Sequence, residues 1–457
     1  MRSVHALLPV LVLSWLLAFS CGSGGGSGDR SDSSGGNDDG PGNGSTPEPL
    51  IVRVSVDSSG VEVLFGSSSS PSASSEGRYT AFESLAGDLV VNDTNGLSDI
   101  FVHDRTTGLT SRVSVATGGI QANGPSYSPS ISADGRYVAF ESLAGNLVAN
   151  DTNGLRDIFV HDRHAGSTTR VSVDSLGSQA NNSSFAPSVS SDGRYIAFDS
   201  LAGNLVASDT NGLRDIFVHD RNDGTTIRVS LDSGGGQSVT GSSSATSISP
   251  DGRYIAFASL AGDLVAGDTN GISDIFLHDT ITGSTTRVSV DSLGSQANNS
   301  SFAPSTSSAG RFIAFQSLAG NLVPNDTNGL SDIFVHDLTT GLTSRVSVAT
   351  GGIQANGPSY SPSVSADGRS VAFESLAGNL TAGDTNGFSD IFIHDRTTGA
   401  TVRASIGYTG NQADNSCTSP AISPEGEQIV FQSSAGNLLP DDTNGLQDIF
   451  VRTLQDL

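Results

Sequence analysis

The chain has 457 residues, 55 of them Gly, with 47 acidic and 22 basic residues for a net charge of −25; every basic residue is an arginine. An acidic chain without a positive stripe argues against nucleic acid, whose counterions it could not displace, and against polybasic docking on anionic lipid. Two cysteines, Cys21 and Cys417, offer no disulfide framework.

The first element is an export signal, residues 1–20. Arg2 supplies the positive start and Ala6 to Ser20 is a mostly apolar run, shorter than the roughly 20 residues a bilayer span needs. It ends in Leu17-Ala18-Phe19-Ser20-Cys21. That stretch resembles a bacterial lipobox, with Ala18 where Leu is preferred, and the resemblance implies that Cys21 becomes the lipidated N-terminus. Gly22 after it, rather than Asp, resembles the outer-membrane sorting pattern. An ordinary cleaved signal with an incidental cysteine is the plainer alternative. Residues 21–49 are nearly all Gly, Ser, Asp, Asn and Pro. They cannot bury enough apolar surface to offset the entropy of ordering, so a flexible tether is expected. The protein is therefore expected to be exported, to the bacterial outer membrane, periplasm or cell surface, and to touch membrane only through a lipid anchor.

Residues 50–457 repeat one unit seven times. The glycine of the D-G-R element falls at Gly77, Gly135, Gly193, Gly252, Gly310, Gly368 and Gly426, spaced by 58 or 59 residues. The arginine of R-V-S-V falls at Arg53, Arg112, Arg170, Arg228, Arg287, Arg345 and Arg403, with the same spacing. Each unit predicts four short strands. In the second unit these are Ser128–Ser132, Tyr137–Phe140 after an Asp-Gly turn, Asp157–His161, and the alternating Thr169–Val173. The middle two are apolar on both faces, as in a sheet covered on both sides. No segment offers a long helical period.

The ends of the domain are offset from the unit. It opens on Ile51–Ser55, a fourth strand with nothing before it, and closes on Asp448–Arg452, a third strand with nothing after it. Pairing the two closes a ring and removes two aggregation-prone edges, whereas an open solenoid would want caps. The expected fold is all-β: a single seven-bladed β-propeller of four-stranded blades in which the N-terminal strand completes blade 7. Asp134–Ser142 (DGRYVAFES) and Asp157–Asp162 (DIFVHD) resemble the TolB-type WD-like propeller repeat. The resemblance recurs across residues 50–457 and implies an envelope propeller that binds partners through rim loops and central channel. The N-terminal α/β domain of TolB has no counterpart in this sequence, so its role in the Tol–Pal system is not implied.

The unit exceeds the usual blade length between its second and third strands, where S-L-A-G-N-L-V-x-x-D-T-N-G-x-x-D recurs. That loop and the fourth-to-first loop emerge on one face, the expected binding surface. The D-x-N-G-x-x-D triples are Asp93/Asn95/Asp99, Asp151/Asn153/Asp157, Asp209/Asn211/Asp215, Asp268/Asn270/Asp274, Asp326/Asn328/Asp332, Asp384/Asn386/Asp390 and Asp442/Asn444/Asp448. They resemble the later part of a Ca²⁺ loop, but the first ligand position holds Val91, Ala149, Ala207, Ala266, Pro324, Ala382 or Pro440. About four protein oxygens would remain for an ion that takes six to eight, so only weak Ca²⁺ binding is expected. The competing reading is an Asn-Gly turn with aspartates capping loop amides.

Six third strands end in His (His103, His161, His219, His278, His336, His394), with Arg452 in the seventh. Packed sheets lie about 10 Å apart, too far for these to share a metal, so a structural hydrogen bond in each blade is expected. The fourth-to-first loops carry Gln121/Asn123, Gln179/Asn181, Gln296/Asn298 and Gln354/Asn356. These amides could bind sugar hydroxyls or peptide backbone, or stitch neighbouring loops. The R-V-S-V arginines are expected on a solvated or ion-paired outer face. No catalytic motif and no asymmetric catalytic set stands out. The function expected is a non-catalytic, monomeric binding module for an envelope protein segment or a glycan on the long-loop face. The alternative is a propeller enzyme acting on polysaccharide, a lyase or glycosidase. No cofactor other than Ca²⁺ is implied.

Overall fold

The computed structural model describes residues 50–454; the expected signal peptide (1–20), Cys21 and the expected tether (21–49) lie outside them. The described residues form seven four-stranded antiparallel sheets arranged as a ring. Blade 2 is typical: Ser126–Ile131, Tyr137–Ser142, Asp157–Asp162 and Ser167–Arg170, in that order from axis to rim. The first strands of neighbouring blades touch all the way round, so they line the central channel.

The closing strand behaves as its offset predicts. Ile51–Arg53 joins Cys417–Ile422, Gln428–Ser433 and Asp448–Thr453 as the outermost strand of blade 7. Ile51 faces Arg452, Val52 faces Val451 and Arg53 faces Phe450. The ladder continues through the amide of Val54, which donates to Ile449 O at 2.8 Å.

Apolar residues on both faces of the middle strands make the core, one cluster at each blade interface. Between blades 2 and 3, Ala139, Ile158 and Val160 meet Val189, Ile196 and Phe198. Inside each blade two buried phenylalanines stack across the second and third strands, as Phe140 and Phe159 do with centroids 6.0 Å apart. The D-G-R turn locks the next blade down. Gly135 has φ +70°, and a Cβ there would strike the Tyr79 ring of blade 1 at 2.0 Å, so only glycine fits this contact.

Candidate functional site

In every blade the arginine of R-V-S-V reaches between the two aspartates of the D-x-N-G-x-x-D loop. Arg112 lies 3.0 Å from Asp93 and 3.6 Å from Asp99; Arg170 lies 3.2 Å from Asp151 and 3.4 Å from Asp157. The same guanidinium clip joins Arg228 to Asp209 and Asp215, Arg287 to Asp268 and Asp274, and Arg345 to Asp326 and Asp332. Arg403 joins Asp384 and Asp390, and Arg53 joins Asp442 and Asp448.

The remaining polar atoms of these loops are also committed. Asn95, Asn153, Asn211, Asn270, Asn328, Asn386 and Asn444 each donate an amide to the second aspartate and accept from the backbone two residues on. In blade 2 the first oxygen of Asp157 accepts from Ser172 Oγ at 2.5 Å. A cation already stands where Ca²⁺ would sit, so this donor set does not fit the metal. Among the described residues no group of three or more His, Cys, Asp or Glu is placed to hold one. The arginines are ion-paired: Arg53 and Arg228 are buried and Arg112, Arg170, Arg287, Arg345 and Arg403 are partly buried.

The histidines make the expected structural bond. His103 Nδ1 lies 2.9 Å from Thr110 Oγ1, which itself donates to Val56 O, so the ring must donate to the threonine. Burial keeps His103 neutral, with its pKa pushed down to about 4. Cys417 is buried, its thiol pushed up to about 12 by burial and placed 3.2 Å from Ser433 Oγ, so it is a packing residue.

The loop glutamines are stitches. Gln179 exchanges hydrogen bonds with Thr152, and Gln296 donates to Thr269 at 3.1 Å. Gln121 accepts from Arg112 at 3.3 Å, and Gln354 donates to Asp326 at 2.8 Å. Asn123, Asn181, Asn298 and Asn356 are exposed on the long-loop face; their backbone amides are held by Asn146, Asn204, Asn321 and Asn379. The loop into blade 1, which lacks Q-A-N, carries Glu62 at the same place: Val56 bridges Glu62 as Val115 bridges Gln121.

The strongest break from sevenfold repetition lies at the channel mouth, on the same face. The second residue of each first strand runs Ser69, Tyr127, Phe185, Ser244, Phe302, Tyr360, Thr418 around the ring. Directly across the ladder the second strand shows Glu83, Glu141, Asp199, Ala258, Gln316, Glu374 and Gln432. Just before the third strand stand Ser98, Arg156, Arg214, Ser273, Ser331, Ser389 and Gln447.

The second-strand position has a structural duty. The third residue of each first strand is a non-glycine at positive φ, from Ser70 (52°) to Ser419 (53°), inside a β-bulge. Except at Ala303, whose neighbour is Ala258, a side chain of the preceding blade caps the amide of that residue. Glu83 accepts from Ser128 at 3.1 Å, Glu141 from Ala186 at 3.2 Å, Glu374 from Ser419 at 2.9 Å and Gln432 from Ser70 at 2.9 Å. Glutamine and glutamate both serve, so capping alone does not select a carboxylate.

Arg156 and Arg214 give blades 2 and 3 a further layer. Arg156 pairs with Glu141 at 2.8 Å, and Arg214 pairs with Asp199. The Arg156 guanidinium lies over Tyr127 and Phe185 at 5.0 and 5.3 Å, and that of Arg214 over Phe185 at 4.5 Å. The result is a ladder, Tyr127–Arg156–Phe185–Arg214, whose carboxylates are fully buried while the arginine side chains keep 26% and 28% of their surface in solvent. Burial outweighs the Arg214 partner and pushes Asp199 up to about 7. Glu374, across the ring with no arginine beside it, is also pushed up to about 7 by burial.

No protein-family model matches the chain, and no curated protein matches it in sequence. Solved structures do resemble it in fold. The β-propeller domain of the Trilobed protease from Pyrococcus furiosus is 13% identical with a TM-score of 0.52, over 86% of this chain and 98% of that one. An oligogalacturonate lyase in complex with manganese is 12% identical with a TM-score of 0.50, over 90% and 92%. A putative TolB from Agrobacterium tumefaciens is 16% identical with a TM-score of 0.40, over 78% and 98%. At these identities the likeness concerns the propeller fold alone.

Proposed function

We propose that the protein is an exported, lipid-anchored, monomeric propeller that binds an envelope protein segment or a glycan, without catalysis, at the channel mouth of its long-loop face. The Tyr127–Arg156–Phe185–Arg214 ladder carries this reading. It combines ring faces, partly exposed guanidiniums and a fixed geometry in two blades, where no other blade has an arginine before its third strand. Ring faces suit the apolar faces of sugars or the side chains of a peptide, and guanidiniums suit hydroxyl or carbonyl oxygens. The exposed Asn123 and Asn181 on the neighbouring loops extend the same surface.

The test screens the mature propeller against glycan and envelope-protein arrays, then repeats each hit with a Tyr127→Ser/Phe185→Ser double variant. Serine occupies the equivalent places at Ser69 and Ser244, so the fold tolerates it. Loss of at least about tenfold in affinity is expected, the scale of about 1.4 kcal/mol. Hits that keep full affinity refute the assignment. A second reading, a lyase or glycosidase acting on polysaccharide, is favoured by Asp199 and Glu374, two buried acids with pKa values near neutrality. Turnover of a polysaccharide that disappears in Asp199→Asn or Glu374→Gln would put it first.

A further inference from the structure

At the opposite end of the blades, where the D-G-R turns lie, the ring repeats a second cation–aromatic device. In five blades the turn glycine packs against the aromatic ring that opens the second strand of the blade before; Gly77 meets Gln428 and Gly426 meets Ser370 instead. Two guanidiniums lie over that ring. One follows the glycine of the ring's own blade, as Arg78 does over Tyr79 at 4.6 Å, Arg136 over Tyr137 at 4.7 Å and Arg311 over Phe312 at 4.5 Å. The other comes from the end of the third strand of the next blade: Arg163 over Tyr79 at 4.6 Å, Arg221 over Tyr137 at 4.3 Å and Arg396 over Phe312 at 4.3 Å. The second arginine also donates to the turn glycine's carbonyl, at 2.6 Å to Gly135, Gly193 and Gly368.

At Tyr195 the second arginine is missing. Its place in the chain is Thr280, whose side chain turns back to Arg253 O. Among the described residues only Arg194 lies over the Tyr195 ring. The space is an open cavity of about 310 Å³ lined by Tyr195, Gly252, Asp220 and Asp251, with Thr280 at its side. Its rim is more apolar than at the three filled sites, although Val52 and Val402 also hold the Ile227 place in other blades. Ile227, 44% exposed, replaces Ser111, Thr169, Thr286 or Ser344; Ile281, 73% exposed, replaces Thr106, His164, Asn222, Thr339 or Thr397. At the other such site, the ring of Tyr254, the arginine's place in the chain is Leu338, and both residues pack against the same core cluster.

We propose that the cavity over Tyr195 receives an arginine side chain presented by a partner polypeptide. The molecule fills the same cavity three times with its own guanidinium, so the shape, the ring face and the Gly252 carbonyl describe their occupant. The site can hold a cation, since Arg163 sits over Tyr79 beside Arg78 and Asp104, the counterparts of Arg194 and Asp220; burial and Arg78 lower its pKa while Asp104 and Tyr79 raise it, and Arg253, which also lines the cavity, is paired with Asp279. The two exposed isoleucines favour a polypeptide over a free small cation, because they offer apolar contact to residues flanking the arginine. This site lies on the face opposite the channel mouth and stands independently of the function proposed above.

Calorimetric titration tests it with a capped tripeptide centred on arginine, its citrulline counterpart and agmatine. The arginine peptide should bind with a dissociation constant on the order of 1 mM, agmatine several-fold more weakly and the citrulline peptide not at all. Thr280→Arg should occupy the cavity from within, raise the melting temperature and abolish peptide binding. Thr280→Leu, which copies Leu338, should abolish binding as well and guards against misfolding of the first variant. The proposal is overturned if the arginine peptide fails to saturate, if citrulline binds equally, or if either folded variant keeps the affinity. Agmatine binding as tightly as the peptide overturns the polypeptide source.

Discussion

Glu374 is a carboxylate at a position where the same fold also uses an amide. It caps the bulge amide of Ser419 at 2.9 Å, as Gln432 caps Ser70 at 2.9 Å. Glu374→Gln therefore keeps the hydrogen bond and removes only the ionisation. Burial pushes Glu374 from 4.5 up to about 7, with Tyr360 as its titratable neighbour across the ladder. The folded pKa is raised, so the contribution is whole below the unfolded value and is lost as pH rises through the folded one. Ionising the group in the fold costs about 3 kcal/mol, at about 1.4 kcal/mol per pK step. With an unfolding entropy of roughly 2 cal/mol/K per residue, the propeller would gain about 4 °C from the substitution at about pH 8. At about pH 4 and below the variant and the parent should melt nearly together, and at about pH 5 they should differ by only about 1 °C. Differential scanning calorimetry across that range reads the difference directly. A melting difference that is constant with pH, or a parent that gains on the variant as pH rises, would refute the burial argument.

The clip loops and the seam give two more expectations. Arg170→Met leaves Asp151 and Asp157 buried without their cation and should cost about 3–5 kcal/mol in denaturant unfolding. In the parent protein neither EDTA nor millimolar Ca²⁺ should move the melting temperature, because the guanidinium already fills the loop; a rise with Ca²⁺ would reinstate the metal. Val52→Pro removes a backbone donor from the strand that closes the ring opposite Val451 and should cost about 1–3 kcal/mol, with more aggregation on heating. An unchanged melting curve would mean that the closing strand adds nothing to the ring.

Periodicity made the fold legible, because the 58-residue spacing and the offset termini both follow from backbone pairing. The same periodicity says little about a site. Repeated D-x-N-G-x-x-D drew attention to carboxylates, but the residue that decides their chemistry, the R-V-S-V arginine, is 13 positions away from the second aspartate at Arg170 and Asp157. Only the fold of the fourth strand back onto the third puts the charge between them. A feature present in all seven blades is bound to be used by the blade itself, since each copy meets the same neighbours. A ligand meets the whole ring, so its contacts must lie where the copies differ. Those differences stand in the sequence as columns: E, E, D, A, Q, E, Q before the serine that closes the second strand; S, R, R, S, S, S, Q before the third; and the lone Thr280 among arginines and leucines. They carried no weight there because each change alone is an ordinary surface substitution. Cross-strand register made Tyr127, Glu141 and Arg156 one object, and the next blade's return made Phe185 part of it. In a closed repeat protein the fold is therefore carried by what recurs, and recognition by the few registers where the recurrence fails together.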